Sequence, residues 1–164
     1  MEIIVRIIAD GTLIPILLIG VYALIYKVPS SNRYAAYCRV LMAGLTTLLV
    51  AKYMAALWQP TGERPFQILG VDPGAAYLPN PGFPSDHAIL AASLMYAVWF
   101  ETRSKMLSGI MVALVVLVCL GRVLALVHTP MDVLGGLLAA TIGAGWYLTR
   151  LPEATKPKRR SSSS

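Results

Sequence analysis

The stretch MLSGIMVALVVLVCLGRVLALV, residues 106–127, decides the fold class because it is apolar for long enough to cross a membrane. A hydrocarbon core about 30 Å thick needs roughly 20 apolar residues in a helix. Four further segments share this character, and they predict spans at residues 10–27, 35–58, 87–100 and 131–149, the third being short. Backbone groups in lipid need internal partners, and these runs are too continuous for barrel strands. We therefore predict an all-α fold, a polytopic membrane helical bundle with about five transmembrane helices.

The composition of the whole chain agrees with this class. Of 164 residues, 57% are hydrophobic and 13% are charged, against roughly 25% charged in soluble domains. We expect one transmembrane domain over residues 1–150 and a disordered basic, serine-ending tail over residues 151–164. The tail lacks the interleaved aromatic residues of a nucleic-acid-binding segment, so membrane lipids are the expected partners and nucleic acid is not. The oligomeric state is left open.

The first span is expected to stay in the mature protein. Glu2 and Asp10 interrupt the basic start of a signal peptide, and no small-residue cleavage site precedes a soluble domain. Residues 1–9 either belong to no span or form a short interfacial helix with its isoleucines on one face. The fifth span carries two stripes of small residues suited to close helix packing: Gly135, Ala139 and Gly143, and beside them Gly136, Ala140 and Ala144.

The distribution of Lys and Arg predicts the orientation of the bundle. Five spans place the two termini on opposite sides of the membrane. Basic residues collect on the side of the carboxyl terminus: Lys27, Arg33, Arg39, Arg103, Lys105, Arg150, Lys156, Lys158, Arg159 and Arg160. That side is expected to be cytoplasmic, with the amino terminus and the long segment 59–86 outside the plasma membrane.

Polar residues of the predicted spans share one depth, near the outer ends. Ionisable groups at membrane depth are costly and suggest a functional site. His128 and Asp132 are four residues apart, so on a helix the carboxylate can orient the imidazole and favour its charged form. The residues expected at this level are Lys52, Arg64, His87, Arg122, His128 and Asp132.

Two predicted helix amino termini point into the same region. Thr129 and Pro130 fit the N-cap and first position of the fifth span, and Ser85 fits the N-cap of the third span. Helix amino termini present free N–H groups, and arginine forks match phosphate geometry. The expected ligand is a phosphate-like anion.

The spacing of these residues resembles the type-2 phosphatidic acid phosphatase superfamily, whose signature is K-x6-R-P, P-S-G-H and S-R-x5-H-x3-D. The second and third motifs match in order and internal spacing, with one substitution in each. The matching residues are Arg64-Pro65, Pro84-Ser85-Asp86-His87, Arg122, His128 and Asp132.

The resemblance implies a residue role at each matched position. His128 would attack phosphorus, Asp132 would orient and polarise it, and His87 would protonate the departing oxygen. Arg64, Arg122 and Ser85 would hold the phosphate. The family's mechanism implies a phosphohistidine intermediate, with no metal ion and no cofactor.

The sequence departs from the family pattern at three positions. Leu57 stands seven residues before Arg64, where the motif has lysine, and Lys52 stands twelve before it, so Lys52 is either a displaced phosphate ligand or a snorkelling side chain. Asp86 replaces the glycine of the second motif, and a carboxylate there should repel a phosphate unless it points away or binds a cation. Gly121 replaces the serine of the third motif and removes a hydroxyl donor.

The resemblance implies a membrane phosphatase acting on a lipid phosphate or diphosphate at the outer membrane face. The candidate substrates are phosphatidic acid, phosphatidylglycerol phosphate and polyprenyl diphosphates such as undecaprenyl diphosphate. Two alternatives stay open: a lipid phosphotransferase, and a membrane protein that binds lipid phosphate without turnover.

Overall fold

The computed structural model describes residues 2–59, 63–102 and 104–149. Secondary structure within these residues is helical and without strands, which confirms the predicted all-α bundle. The helices are α1 (Glu2–Arg6), α2 (Leu13–Tyr26), α3 (Arg33–Leu57), α4 (Pro65–Leu69), α5 (Asp86–Glu101), α6 (Lys105–Leu124) and α7 (Pro130–Gly143). A π-helical turn, Ile7–Gly11, joins α1 to α2, and 3-10 segments at Ser30–Asn32 and Ala144–Thr149 flank α3 and α7. The predicted tail, residues 151–164, and the basic residues Arg103 and Arg150 lie outside the described residues.

Four helical segments of the described chain are long and apolar enough to cross a membrane: Ile3–Tyr26, Ser30–Leu57, Lys105–Leu124 and Pro130–Thr149. The predicted third span is also a helix, α5, but its 16 residues extend only about 24 Å, less than a typical hydrocarbon core. Helix α5 packs against α2, α3, α6 and α7. It is therefore a central helix surrounded by the four longer helical segments.

The first helix begins earlier than the sequence predicted. Residues 10–27 were the expected span, yet the helical segment Ile3–Tyr26 includes most of α1 and the π-helical turn, so the described residues 2–9 continue into the span and form no separate interfacial helix. Ala9 in this turn is fully buried, and the backbone of the turn lies against Gly121 of α6. Packing on α6 thus extends the helix and places Asp10 inside the bundle.

The polar residues gather at one end of the bundle, which we call the site end. Helices α3 and α6 finish there, and α5 and α7 begin there. At the opposite end Arg39 donates from Nε and Nη2 to the two carboxylate oxygens of Glu101, at 2.7 and 2.8 Å, and joins α3 to α5.

Small residues let α7 approach its neighbours closely, as the two stripes predicted. A side chain at Gly143 would collide with Thr47 of α3, and one at Gly135 would collide with the ring of Phe83. The apolar core between the helices is made of residues such as Ile16, Val98, Met111 and Val118. Close packing of this kind fixes the start of α7 relative to the other helices at the site end.

Candidate active site

The start of α7 holds Asp132 in a fixed position beside His128. Thr129 is the N-cap and Pro130 the first helical residue, as predicted. Oδ2 of Asp132 accepts a hydrogen bond from Thr129 N at 2.7 Å, and Thr129 Oγ1 accepts one from Asp132 N at 3.2 Å. The same Oδ2 lies 3.5 Å from Nδ1 of His128, and both side chains are 5% exposed. This arrangement turns Nδ1 toward the carboxylate and leaves Nε2 as the nitrogen that can face a ligand.

Burial controls the charge of His128 more strongly than Asp132 does. Removal from water lowers the pKa of His128 below its ordinary 6.5, and the nearby Arg122 and Arg64 lower it further, while Asp132 opposes this shift. Asp132 thus favours the charged imidazole, as expected from the sequence, but burial outweighs this contribution in the net shift. A neutral imidazole keeps the lone pair that a nucleophile requires.

Arg64 stands at the N-cap of α4 and organises the loop that covers the site. Nη1 donates to the carbonyl of Val127 at 2.6 Å, and Nη2 donates to Oδ1 of Asn80 at 2.9 Å. The guanidinium also lies 5.3 Å from the ring centre of Tyr77. Burial lowers the pKa of Arg64 from its usual value, and Asp132 partly offsets the shift, so the group stays a cation.

The backbone of Gly82 marks the point where these elements meet. A Cβ atom at this glycine would lie 3.4 Å from Asp132 Oδ2 and 3.7 Å from both Arg64 Nη1 and His128 Nδ1. Arg64 and the pair His128 and Asp132, which come from two distant parts of the chain, therefore border one small volume. A side chain at position 82 would reduce the space beside the imidazole.

Arg122 and His87 form the second half of the cluster, together with a residue that the sequence analysis had not assigned to the site. Arg122 Nη1 donates to Oδ1 of Asp10 at 2.7 Å, and the Arg122 side chain is 2% exposed. Nε2 of His87, at the start of α5, lies 4.0 Å from the same carboxylate oxygen. Electrostatic interactions of Arg122 and His87 with His128 link the two halves.

Three unpartnered polar atoms lie in this region. In the part of the chain that the structure describes, Ser85 Oγ, Arg122 Nε and His128 Nδ1 are buried without a hydrogen-bond partner, although His128 Nδ1 keeps its 3.5 Å ion-pair contact with Asp132 Oδ2. Ser85 is the N-cap of α5 as predicted, but its side chain makes no capping hydrogen bond, which corrects the expected capping role. Buried donors are normally satisfied, so unpartnered ones at a cationic site are suited to a bound anion. Ser85 Oγ and Arg122 Nε are donors that can serve this purpose.

Lys52 and Asp86 lie beside the cluster and line one cavity of about 320 Å³. Both residues are exposed. Pro81 and Phe83 line this cavity, while Gly82 between them faces His128 and Asp132. The segment around Gly82 thus separates the cavity from the imidazole, and Lys52 shares its surroundings with the unexpected carboxylate of Asp86.

Asp10 is the main residue that sequence reasoning missed. It lies 112 residues before Arg122, and no motif spacing connects the two. The one available signal was an aspartate inside an apolar helix, because intramembrane carboxylates are rare and usually paired.

Taken together, the helices and the polar cluster define an all-α membrane bundle with a cationic, histidine-containing site at one end. Comparison with family models identifies the class. The model of the PAP2 superfamily matches residues 33–156. The chain belongs to this superfamily, whose members are phosphatases, and the predicted relationship is confirmed. No curated protein and no solved structure matched the chain.

Proposed function

We propose that this protein is a membrane-embedded phosphatase that hydrolyses a lipid phosphate or lipid diphosphate through a phosphohistidine on His128. The proposal adds the substrate, the intermediate and the residue roles to the family's general activity. The observation that carries it is the pairing of buried His128 with Asp132 next to two buried arginines. A simple anion-binding protein would need the arginines but would not need a neutral, oriented imidazole.

In the proposed reaction, Nε2 of His128 attacks phosphorus while the bond from phosphorus to the lipid oxygen breaks. Asp132 holds Nδ1 and stabilises the positive charge that develops on the imidazole. His87 donates its proton to the departing oxygen, which leaves as the lipid alcohol or, from a diphosphate, as the lipid monophosphate. Water then attacks the phosphohistidine, returns a proton to His87 and releases inorganic phosphate.

Arg122, Arg64 and Ser85 are proposed to bind the phosphate oxygens. Arg122 Nε and Ser85 Oγ are buried and unpartnered, so both can donate to a phosphate without breaking an existing hydrogen bond. Arg64 uses Nη1 and Nη2 on Val127 and on the loop through Leu78 and Asn80. Arg64 therefore contributes its positive charge and its remaining N–H groups to phosphate binding, and it also holds the covering loop in place. Preorganised donors of this kind stabilise the charge of a transferring phosphoryl group.

The cavity beside the site supports a lipid as the substrate. Its lining combines apolar residues of α3 and α5, among them Leu48 and Ile89, with the charged Lys52 and Asp86. A lipid has the same combination of an apolar chain and a polar head group. Since the segment around Gly82 lies between this cavity and the imidazole, we propose that the cavity holds a part of the lipid remote from the reacting phosphate, where Lys52 contributes charge to its binding.

The test is phosphate release from purified protein in detergent, with a chelator present and with a panel of lipid monophosphates and diphosphates. We expect metal-independent release by the native protein and loss of release in His128→Ala, with the variant still folded by size exclusion and thermal unfolding. Native protein quenched at alkaline pH during turnover should carry phosphate that is stable in base and lost in acid, as expected for phosphohistidine, and His128→Ala should not.

Unchanged release by His128→Ala would contradict the phosphohistidine mechanism. An absence of release from every lipid by well-folded native protein would contradict the phosphatase function and favour lipid-phosphate binding without turnover. The relative rates on monophosphates and diphosphates would define the substrate class.

A further inference from the structure

We propose that Asp10 is a positioning residue of the active site, holding the Arg122 guanidinium and facing the imidazole of His87. This inference rests on the proposed phosphatase function and adds the first helix to the machinery. Residues 33–156 match the family model, so Asp10 lies outside the matched region. Its role is therefore argued from the contacts of this chain alone.

The Asp10 carboxylate is held from two sides. Oδ1 accepts a hydrogen bond from Arg122 Nη1 at 2.7 Å, and Oδ2 accepts one from the backbone N–H of Ala76 at 2.9 Å. Oδ1 is also 4.0 Å from His87 Nε2. One carboxylate thereby links the first helix, α6, the start of α5 and the loop that precedes α5.

The local backbone is built to bring Asp10 to this position. Residues Ile7–Gly11 form a π-helical turn, and such turns occur frequently at functional sites. A Cβ atom at Gly121 would lie only 2.8 Å from Ala9 N and 2.8 Å from Ile8 Cγ2. The glycine that replaces the motif serine before Arg122 is therefore what allows the turn to pack on α6. Gly121, which replaces the serine of the family motif, and Asp10 in the turn are therefore brought together by the same helix contact.

Asp10 provides the negative charge that the buried Arg122 side chain needs. Arg122 is almost fully buried, and a buried cation without an anion is strongly unfavourable. By occupying Nη1, Asp10 orients the guanidinium so that the unpartnered Nε can face a phosphate. Asp10 neither attacks phosphorus nor receives the departing oxygen.

His87 is surrounded by charges of both signs. Burial is the main cause that disfavours its protonated form and lowers the pKa of His87 to about 4. Arg122 on α6 and His128 before α7 act in the same direction, while Asp10 on the first helix and Asp86 on α5 oppose the shift. The proposed donor of a proton must carry that proton when substrate is bound. Asp10 therefore favours the protonated form of His87, as Asp132 does for His128, so each histidine has a carboxylate neighbour.

A competing reading is that Asp10 occupies the place of the substrate phosphate and blocks the site until it moves. The two readings differ in kinetics. A positioning residue supports turnover, so its loss lowers kcat, whereas a blocking residue competes with substrate, so its loss lowers KM and strengthens inhibition by orthovanadate.

The experiment compares Asp10→Asn and Asp10→Glu with the native chain, using dioctanoyl phosphatidic acid in detergent micelles and orthovanadate as inhibitor. The matched control is Asp72→Asn, which changes an exposed aspartate in the loop at the same end. For Asp10→Asn we expect kcat to fall by about 10- to 100-fold, the range for losing one charged hydrogen bond, with a smaller change in KM. The basic limb of the kcat profile should move to lower pH, and Asp10→Glu should restore part of this shift. Unchanged kcat, or a lower KM with tighter vanadate inhibition, would overturn the proposal.

A second measurement keeps this inference separate from the phosphatase function itself. The chain has two histidines, so His128→Gln leaves His87 as the sole imidazole for NMR titration. Adding Asp10→Asn to this background should lower the titration midpoint of His87, whether or not the native protein hydrolyses the lipid. An unchanged midpoint would show that Asp10 does not act on His87, and absence of hydrolysis by native protein alone would contradict only the proposed function.

Discussion

At the scale of single residues, the two histidines of the site lie in different environments, a difference that the sequence alone does not show. His128 is 5% exposed and touches a carboxylate fixed by the N-cap of its own helix. His87 is more open, with 26% of its side chain exposed, and its nearest ion-pair partner comes from a distant helix. This difference suits a nucleophile that is shielded from water and an acid that meets the departing group.

The protonation of His128 can be measured directly. In a His87→Gln variant the remaining imidazole should titrate below its ordinary 6.5 in the folded protein, because burial and the two arginines disfavour the cation. Adding Asp132→Asn should lower the midpoint further, since Asp132 is the group that raises it. NMR titration of labelled histidine provides the measurement, and the same variant in denaturant should titrate near 6.5. A folded-state midpoint above 6.5 would contradict the neutral nucleophile.

At the scale of helices, glycines decide how closely the elements that carry the site approach one another. Gly136 of α7 faces the start of α5, where a Cβ atom would lie 2.8 Å from the carbonyl oxygen of Ser85 and 2.9 Å from Ala88 Cβ. The backbone N–H of Ser85 also donates to the carbonyl oxygen of Asp132 at 2.9 Å. The contact between α5 and α7 therefore sets the distance between the two halves of the site.

Gly136→Ala should consequently reduce both stability and turnover. We expect a loss of about 1–3 kcal/mol in the free energy of unfolding, the usual result of overpacking, and a lower kcat because Ser85 and His87 shift. The matched control is Gly109→Ala in α6, where a Cβ atom has no neighbour within 4 Å. That variant should be neutral or gain up to about 1 kcal/mol, with activity unchanged. Denaturant unfolding in detergent measures the first quantity, and equal stability of both variants would contradict the packing argument.

At the scale of the whole molecule, the distribution of basic residues predicts which side of the membrane holds the site end. The predicted cytoplasmic side includes the connection before α3, with Lys27 and Arg33, and the site end lies opposite to it. The charge rule therefore continues to predict an outward-facing site.

Labelling with a membrane-impermeant maleimide on intact cells tests this orientation. In a background lacking Cys38 and Cys119, Asp72→Cys in the site-end loop should react before permeabilisation. Ser31→Cys at the opposite end should react only after it. Both positions are exposed, so access to reagent depends on the membrane rather than on burial. The reverse pattern would place the active site in the cytoplasm.

Much of this fold could be predicted because the relevant signals are local. Apolar runs such as residues 106–127 specify helices wherever they are placed in lipid, and Thr129-Pro130 starts a helix through its own hydrogen bonds and fixed backbone angle. The spacing of Arg122, His128 and Asp132 also identified the family, since those residues lie within a short stretch of chain.

Tertiary structure alone decided which distant groups meet. Asp10 reaches Arg122 only because Gly121 lets the first helix pack on α6, and a close approach between helices has no signature in either segment by itself. The same holds for the charge of His128, where the local pairing with Asp132 favours the cation but burial among other elements outweighs it. Local sequence patterns specify the helices and the chemical groups they carry, whereas the burial and the electrostatic balance of each group arise from packing, because both depend on all of its neighbours.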